Sequence, residues 1–90
     1  MEIKWDTKGI WHLATRDQRY GPRATNFVAM WANEAASDPH ATMLPIDPAA
    51  PYRRVVTGYS SGYGGYMTVI YLEIGDHRHG VTAYPTGEPT

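Results

Sequence analysis

Apolar positions recur every three to four residues in parts of the first half of the chain and gather into a nearly continuous run in the second. Between Tyr66 and Ile74 nearly every position is β-branched, aromatic or otherwise apolar, and Thr68, Val69, Ile70, Tyr71 and Ile74 suit a pleated, buried strand. Gly75-Asp76 then offers a two-residue turn with glycine where a type II′ hairpin needs a positive φ, so His77 to Tyr84 is predicted to fold back. That turn sets a register. Ile74 faces His77, Glu73 faces Arg78, Leu72 faces His79, Tyr71 faces Gly80, Ile70 faces Val81, Val69 faces Thr82, Thr68 faces Ala83 and Met67 faces Tyr84. Thr68, Ile70, Leu72, Ile74, Val81 and Ala83 make the predicted core face; Met67, Val69, Tyr71, Glu73, Arg78, Thr82 and Tyr84 make the other.

Upstream, Glu2 to Trp5 alternates as a short edge strand does, and Asp6 or Thr7 can cap a helix beginning there. Ile10, Leu13 and Ala14 place an apolar stripe on a helix predicted over 7–16. Asp17 to Pro22 reads as a breaker, and a second helix is predicted from Arg23 or Ala24 through Phe27, Val28, Trp31, Ala32 and Ala35. Ser37-Asp38-Pro39 stops it, because the residue before proline is driven out of the helical region. Ala41 to Ile46 is a weak strand that Pro45 confines to an edge, and Tyr52 to Tyr59 is the next strand. The glycine-rich stretch from Ser60 to Gly65 turns the chain, with Tyr59 opposite Tyr66, Val56 beside Val69 and Thr82, Gly58 beside Met67 and Tyr84, and Arg54 beside Tyr71 and Gly80. The prediction is an α+β domain over 1–84: a short N-terminal strand and two helices packed on one face of a three- to five-stranded antiparallel sheet, with 85–90 as a fraying tail.

Composition narrows the classes of function. The chain has 90 residues, near the low end for a single unstapled core, and no cysteine, so it offers neither disulfide nor thiolate ligand. A formal charge of -1 lacks the basic excess of a sequence-independent nucleic-acid binder. No apolar run approaches the roughly 18 residues of a membrane span, and the N-terminus lacks a signal peptide's pattern; a soluble, cytoplasmic protein is expected.

Several local patterns occur together in order: IKWD before a short helix with a histidine, EAASDPH closing the second helix, RRVVTGYS leading to a turn, MTVIYLEI, and the closing HGVTAY. In that order they resemble the BrnT-like branch of the RelE/ParE-type toxins of bacterial toxin–antitoxin pairs. The resemblance implies a RelE-like fold and a metal-independent endoribonuclease inhibiting translation, held inactive by a cognate antitoxin. In such a site a basic residue neutralises the scissile phosphate while another group assists proton transfer from the 2′-hydroxyl. The positions that match are Arg54 and Tyr84, with His79 as a further catalytic candidate and Arg53, Arg78 and Tyr71 as RNA-binding candidates. Where the family pattern ends its last strand with arginine, this chain has Tyr84.

Each of these residues also has a plain structural reading. Arg53-Arg54 can keep a strand edge soluble and pair with Glu73 or Asp47, and Glu73 with Arg78 reads as a cross-strand ion pair. His77 and His79 share one side of a strand beside Asp76, but no further ligand is near in sequence, so no metal or cofactor is assigned. The dense tyrosines suit base stacking or a protein interface. Val56, Met67, Val69 and Tyr71 are expected to form an exposed apolar patch that a partner, the antitoxin or a second copy, would cover. The alternative class is therefore a non-catalytic protein-interaction module, homodimeric or partner-binding, on the same fold. Trp5, Trp11 and Trp31 are assigned to the core.

Overall fold

The fold is known from a computed structural model that describes residues 2–86. Three helices come first, α1 (Thr7–Ala14), α2 (Arg16–Tyr20) and α3 (Ala29–Ser37), followed by the strands β1 (Thr42–Met43), β2 (Arg53–Ser60), β3 (Gly65–Ile74) and β4 (His77–Pro85). The strands form one antiparallel sheet in the order β1-β2-β3-β4, a meander built by consecutive hairpins. The α+β class is as expected.

The local chemistry explains the helix ends. The Asp6 carboxylate caps α1 by accepting from the Gly9 N–H at 2.6 Å. The helix predicted over 7–16 is broken at Thr15, whose φ is -125° and whose hydroxyl donates to Trp11 O at 2.7 Å. A second short helix then enters the segment read as a breaker and stops at Gly21, at φ 95°. The helix expected from Arg23 or Ala24 starts only at Ala29. Phe27 lies instead outside any helix, its N–H donating to Leu13 O at 2.9 Å while its ring is buried. The stop before Pro39 is as predicted: α3 ends at Ser37. Of the N-terminal strand there is one parallel bridge, in which Lys4 N–H donates to Arg78 O and Gly80 N–H donates to Lys4 O, each at 2.9 Å.

The β2–β3 register matches the prediction throughout, including Arg54↔Tyr71, Val56↔Val69, Gly58↔Met67 and Tyr59↔Tyr66. Gly75 turns the β3–β4 hairpin at φ 60°, and the pairs from Ile74↔His77 to Tyr71↔Gly80 follow as expected. There the register shifts. A β-bulge leaves Val81 without a partner, so that Ile70 pairs with Thr82, Val69 with Ala83, Thr68 with Tyr84 and Met67 with Pro85. A turn fixes the pairs beside it but does not specify a bulge further along the strand.

The core lies on the face opposite to the one predicted. Val56, Met67, Val69 and Tyr71 are at most 3% exposed and cluster with Ile3, Leu13, Phe27, Ala32, Ala35, Ala36 and Ala83. Val56, Met67 and Val69 are therefore not an open partner-binding surface; the helices cover them. Along β3 alternation separated the two sets of side chains correctly, while on β4 the bulge exchanges Thr82, Ala83 and Tyr84 between them; both sets are apolar, so alternation did not say which would meet the helices. Glycine decides. A Cβ on Gly58 would lie 2.0 Å from Ala35 O, and one on Gly80 would lie 2.3 Å from the Trp5 ring, so α3 and Trp5 seat on this face where it has no side chain. Ala83 reaches the core only because the bulge reverses parity beyond Val81. Pro85, assigned to the tail, is buried at the end of β4, and 87–90 lie outside the described residues.

Polar ties fix the helices to the sheet. Trp5 Nε1 donates to Asn33 Oδ1 at 3.1 Å and Asn33 Nδ2 to Ile3 O at 3.0 Å. Arg16 is 1% exposed, donates to Thr25 O at 3.0 Å and stacks on Tyr20 and Phe27. Trp5 and Trp31 pack against the core, whereas Trp11 is 58% exposed. Glu34 of α3 accepts from Ser60 Oγ at 2.8 Å and from Gly62 N–H at 2.9 Å, tying the helix to the β2–β3 turn.

The Gly62 N–H, then the Ser60 and Ser61 hydroxyls, hold the Glu34 carboxyl below its ordinary value of 4.5, against a smaller opposing effect of burial. A lowered folded-state value means stability that is present above the unfolded value and lost as pH falls through the folded one. Glu34→Gln is therefore expected to destabilise most near neutral pH, with its difference from the wild type shrinking on acidification below about pH 4.5. Urea unfolding of both proteins at pH 7 and pH 3 measures this; a difference that does not change with pH removes the carboxylate from the account.

Candidate functional site

The helices pack on one side of the sheet, α3 on β2 and β3 and α1 on β4, with α2 joined to that side through Arg16 and Phe27; among the described residues the other side has no helix over it. Rows crossing the strands map that helix-free face. Tyr59 pairs with Tyr66 at one end. Next come Thr42, Thr57, Thr68 and Tyr84, then Val55, Ile70 and Thr82, then Arg53, Leu72 and His79, and finally Ile74 with His77. Thr57 and Thr68 share a hydroxyl hydrogen bond at 2.9 Å, which satisfies both where Thr68 is shaded by its neighbours.

The face is graded from end to end. At one end the Tyr59 and Tyr66 rings meet edge to face with centroids 5.5 Å apart, and Tyr66 is 62% exposed. Beside them an open hollow of about 780 Å³ runs between Thr57, Tyr66, the turn at Tyr63 to Gly65, and Pro85 and Thr86. The middle is apolar and shaded by its neighbours, with Ile70 only 8% exposed and Val55, Leu72 and Thr82 half-buried. At the other end stand Arg53 and the His77–His79 pair, with ring centroids 6.0 Å apart. None of the positions of β1 to β4 on this face is Asp, Glu or Lys; Lys4, bridged to His79, extends that row at the sheet's edge, and the adjoining turn contributes Asp76, 3.3 Å from His77 Nε2.

Arg54, Tyr71 and Arg78 come together on the opposite, helix-covered side, at its open end. Glu73 holds both guanidiniums: Oε2 lies 3.4 Å from Arg54 Nε and Oε1 lies 3.2 Å from Arg78 Nε. The Arg78 approach is close enough for charge attraction but is not aligned as a hydrogen bond. Arg54 Nη1 also donates to Pro51 O at 2.7 Å and Arg53 O at 3.1 Å. Burial, then the Glu73 charge, raise the Tyr71 phenol above its ordinary value, opposed by Arg78, which also hydrogen-bonds it, and by Arg54. The phenol stays neutral. This cluster closes the end of the core with an ion-pair network in which Glu73 faces both guanidiniums and Arg54 Nη1 is held by backbone carbonyls.

The expected catalytic residues are thus not gathered. Arg54 is on one face, Tyr84 and His79 on the other. Along β3 their partners Thr68 and Leu72 are four positions apart, about 13 Å at roughly 3.3 Å per residue. Arg53 and His79 do share a row, flanking Leu72. Sequence reasoning grouped the tyrosines but did not single out Tyr59 and Tyr66 as an exposed pair, although their predicted opposition was the available signal. Among the described residues no three His, Asp or Glu side chains come together to hold a metal ion, and no helix is long and apolar enough to cross a membrane. Comparison with family models, curated proteins and solved structures found no match.

Proposed function

We propose that this chain is a protein-interaction module whose working surface is the helix-free face of its sheet. The observation that carries the proposal is the make-up of that face. An apolar centre is bordered by tyrosine, threonine, arginine and histidine, with Lys4 beside His79 at the sheet's edge and carboxylates missing from the strands. Protein interfaces have this anatomy: aromatic residues and arginine are enriched at them, while lysine, aspartate and glutamate are depleted. In the toxin–antitoxin setting that the sequence resemblance implies, this is the face a cognate partner would cover.

Endoribonuclease action is the reading the geometry favours less. It needs Arg54, Tyr84 and His79 to converge on one phosphate, with the acting groups within hydrogen-bond reach of the reacting atoms. They lie on two faces and along about 13 Å of strand. Induced expression of the chain alone in a bacterial host, following growth and total RNA together, separates the readings. The expected result is intact RNA. Growth arrest with RNA cleavage, lost in folded Arg54→Ala and Tyr84→Phe proteins, would reinstate the nuclease.

A further inference from the structure

Resting on that reading, the geometry points to the chemistry of the partner: a protein segment with an apolar stripe, an aromatic or bulky apolar anchor at one end and carboxylates at the other. The chain holds nine Asp and Glu against eight Lys and Arg, yet its strands put none of those acids on the helix-free face. Arg53 and His79 stand there without a carboxylate partner on the strands, and Glu73 is spent on the other side with Arg54 and Arg78. The Tyr59–Tyr66 row lies six β3 positions from the row of Arg53, Leu72 and His79, about 20 Å at roughly 3.3 Å per residue. A helix of about 13 residues spans that distance. The hollow of about 780 Å³ beside Tyr66 receives the anchor, Val55 and Leu72 take the stripe, and the carboxylates meet Arg53 and His79.

Two other occupants fit less well. Single-stranded nucleic acid would track several cations along its backbone, and here the central row of Val55, Ile70 and Thr82 offers none. A second copy would present the same face, with no strand carboxylate for Arg53.

The test is selection of peptides from a random display library on the immobilised folded chain. Selected peptides of about 14 residues are then synthesised and mapped on the full chain by amide NMR shifts. Carboxylates are expected to be enriched at one end and aromatic or large apolar residues at the other, with shifts confined to the rows described. Arg53→Glu/His79→Glu is expected to weaken binding about tenfold or more while leaving the melting temperature close to that of the wild type, because both side chains are exposed. Peptides that map to this face but are neutral or basic, or that ignore the charge reversal, overturn the acidic partner and leave the interaction surface standing. Peptides that map elsewhere overturn both. Self-association in sedimentation, abolished by Leu72→Asp, makes a second copy the occupant and overturns the acidic segment. Oligo(U) that binds more tightly than the selected peptides at the same rows overturns it in favour of nucleic acid.

Discussion

Gly58→Ala is expected to destabilise the protein by about 3 to 5 kcal/mol, enough to remove most of the stability of a small domain. The new methyl carbon would stand 2.0 Å from Ala35 O, 3.0 Å from Ala35 C and 3.1 Å from Asp38 Cβ. Two of those three atoms are backbone, so no rotamer change relieves the overlap, and α3 has to lift. Lifting it withdraws Ala32, Ala35 and Ala36 from Val56 and Met67, where all five are buried. It also stretches the ties that depend on the same spacing, the Asp38 carboxylate on Tyr59 N–H at 2.8 Å and Glu34 on Ser60. Overpacking a core commonly costs about 1 to 3 kcal/mol, and a clash with backbone belongs above that range. Chemical unfolding by circular dichroism measures it. A loss below about 1 kcal/mol would mean that α3 is not seated on β2 as described.

That seating was the part of the fold least visible in the sequence. The strands and their pairing were legible because the turn residues and the side-chain period act locally: Gly75 fixes the last hairpin, and Tyr59 opposite Tyr66 fixes the one before it. Which face turns inward is not local. It depends on where α3 and Trp5 can approach, and the glycines that admit them, Gly58 and Gly80, carry no hydrophobic signal. The bulge at Val81 was hidden for a related reason. Val-Thr-Ala-Tyr suits a strand in either parity, so only the packing of Ala83 against the core selects the shifted register. Arg16 escaped notice because a guanidinium on a short helix reads as solvent-exposed; its burial depends on Tyr20, Phe27 and Thr25, brought to it by a segment with no periodicity. For the candidate site, the nearness of Arg54, Tyr71 and Arg78 followed from the register, as did the Glu73–Arg78 ion pair. The separation of Tyr84 from Arg54 did not, because it is the bulge that moves Tyr84 to the other face.

The two faces of β3 give the second large effect, and it tests the orientation of the whole sheet. Val69 and Leu72 lie three positions apart on one strand, so their side chains point to opposite faces. Val69→Asp would place a carboxylate where the side chain is 0% exposed, among Val56, Met67, Tyr71 and Ala83. An unpaired charge there either stays ionised at a cost of several kcal/mol or takes up a proton and remains a poorly satisfied polar group. The expected loss is about 4 kcal/mol or more, so the variant is largely unfolded at room temperature. Leu72→Asp lies on the helix-free face, half-buried and flanked by Arg53 and His79. There the carboxylate keeps its water and gains a cation nearby, so the loss is expected near 1 kcal/mol, mostly from the weaker strand propensity of aspartate. Circular dichroism melts of the two purified proteins at pH 7 decide it. With Leu72 in the core, as simple alternation from the turn would have it, the order of the two variants reverses. The order described here also shows that the surface assigned to the partner can be altered without loss of the fold.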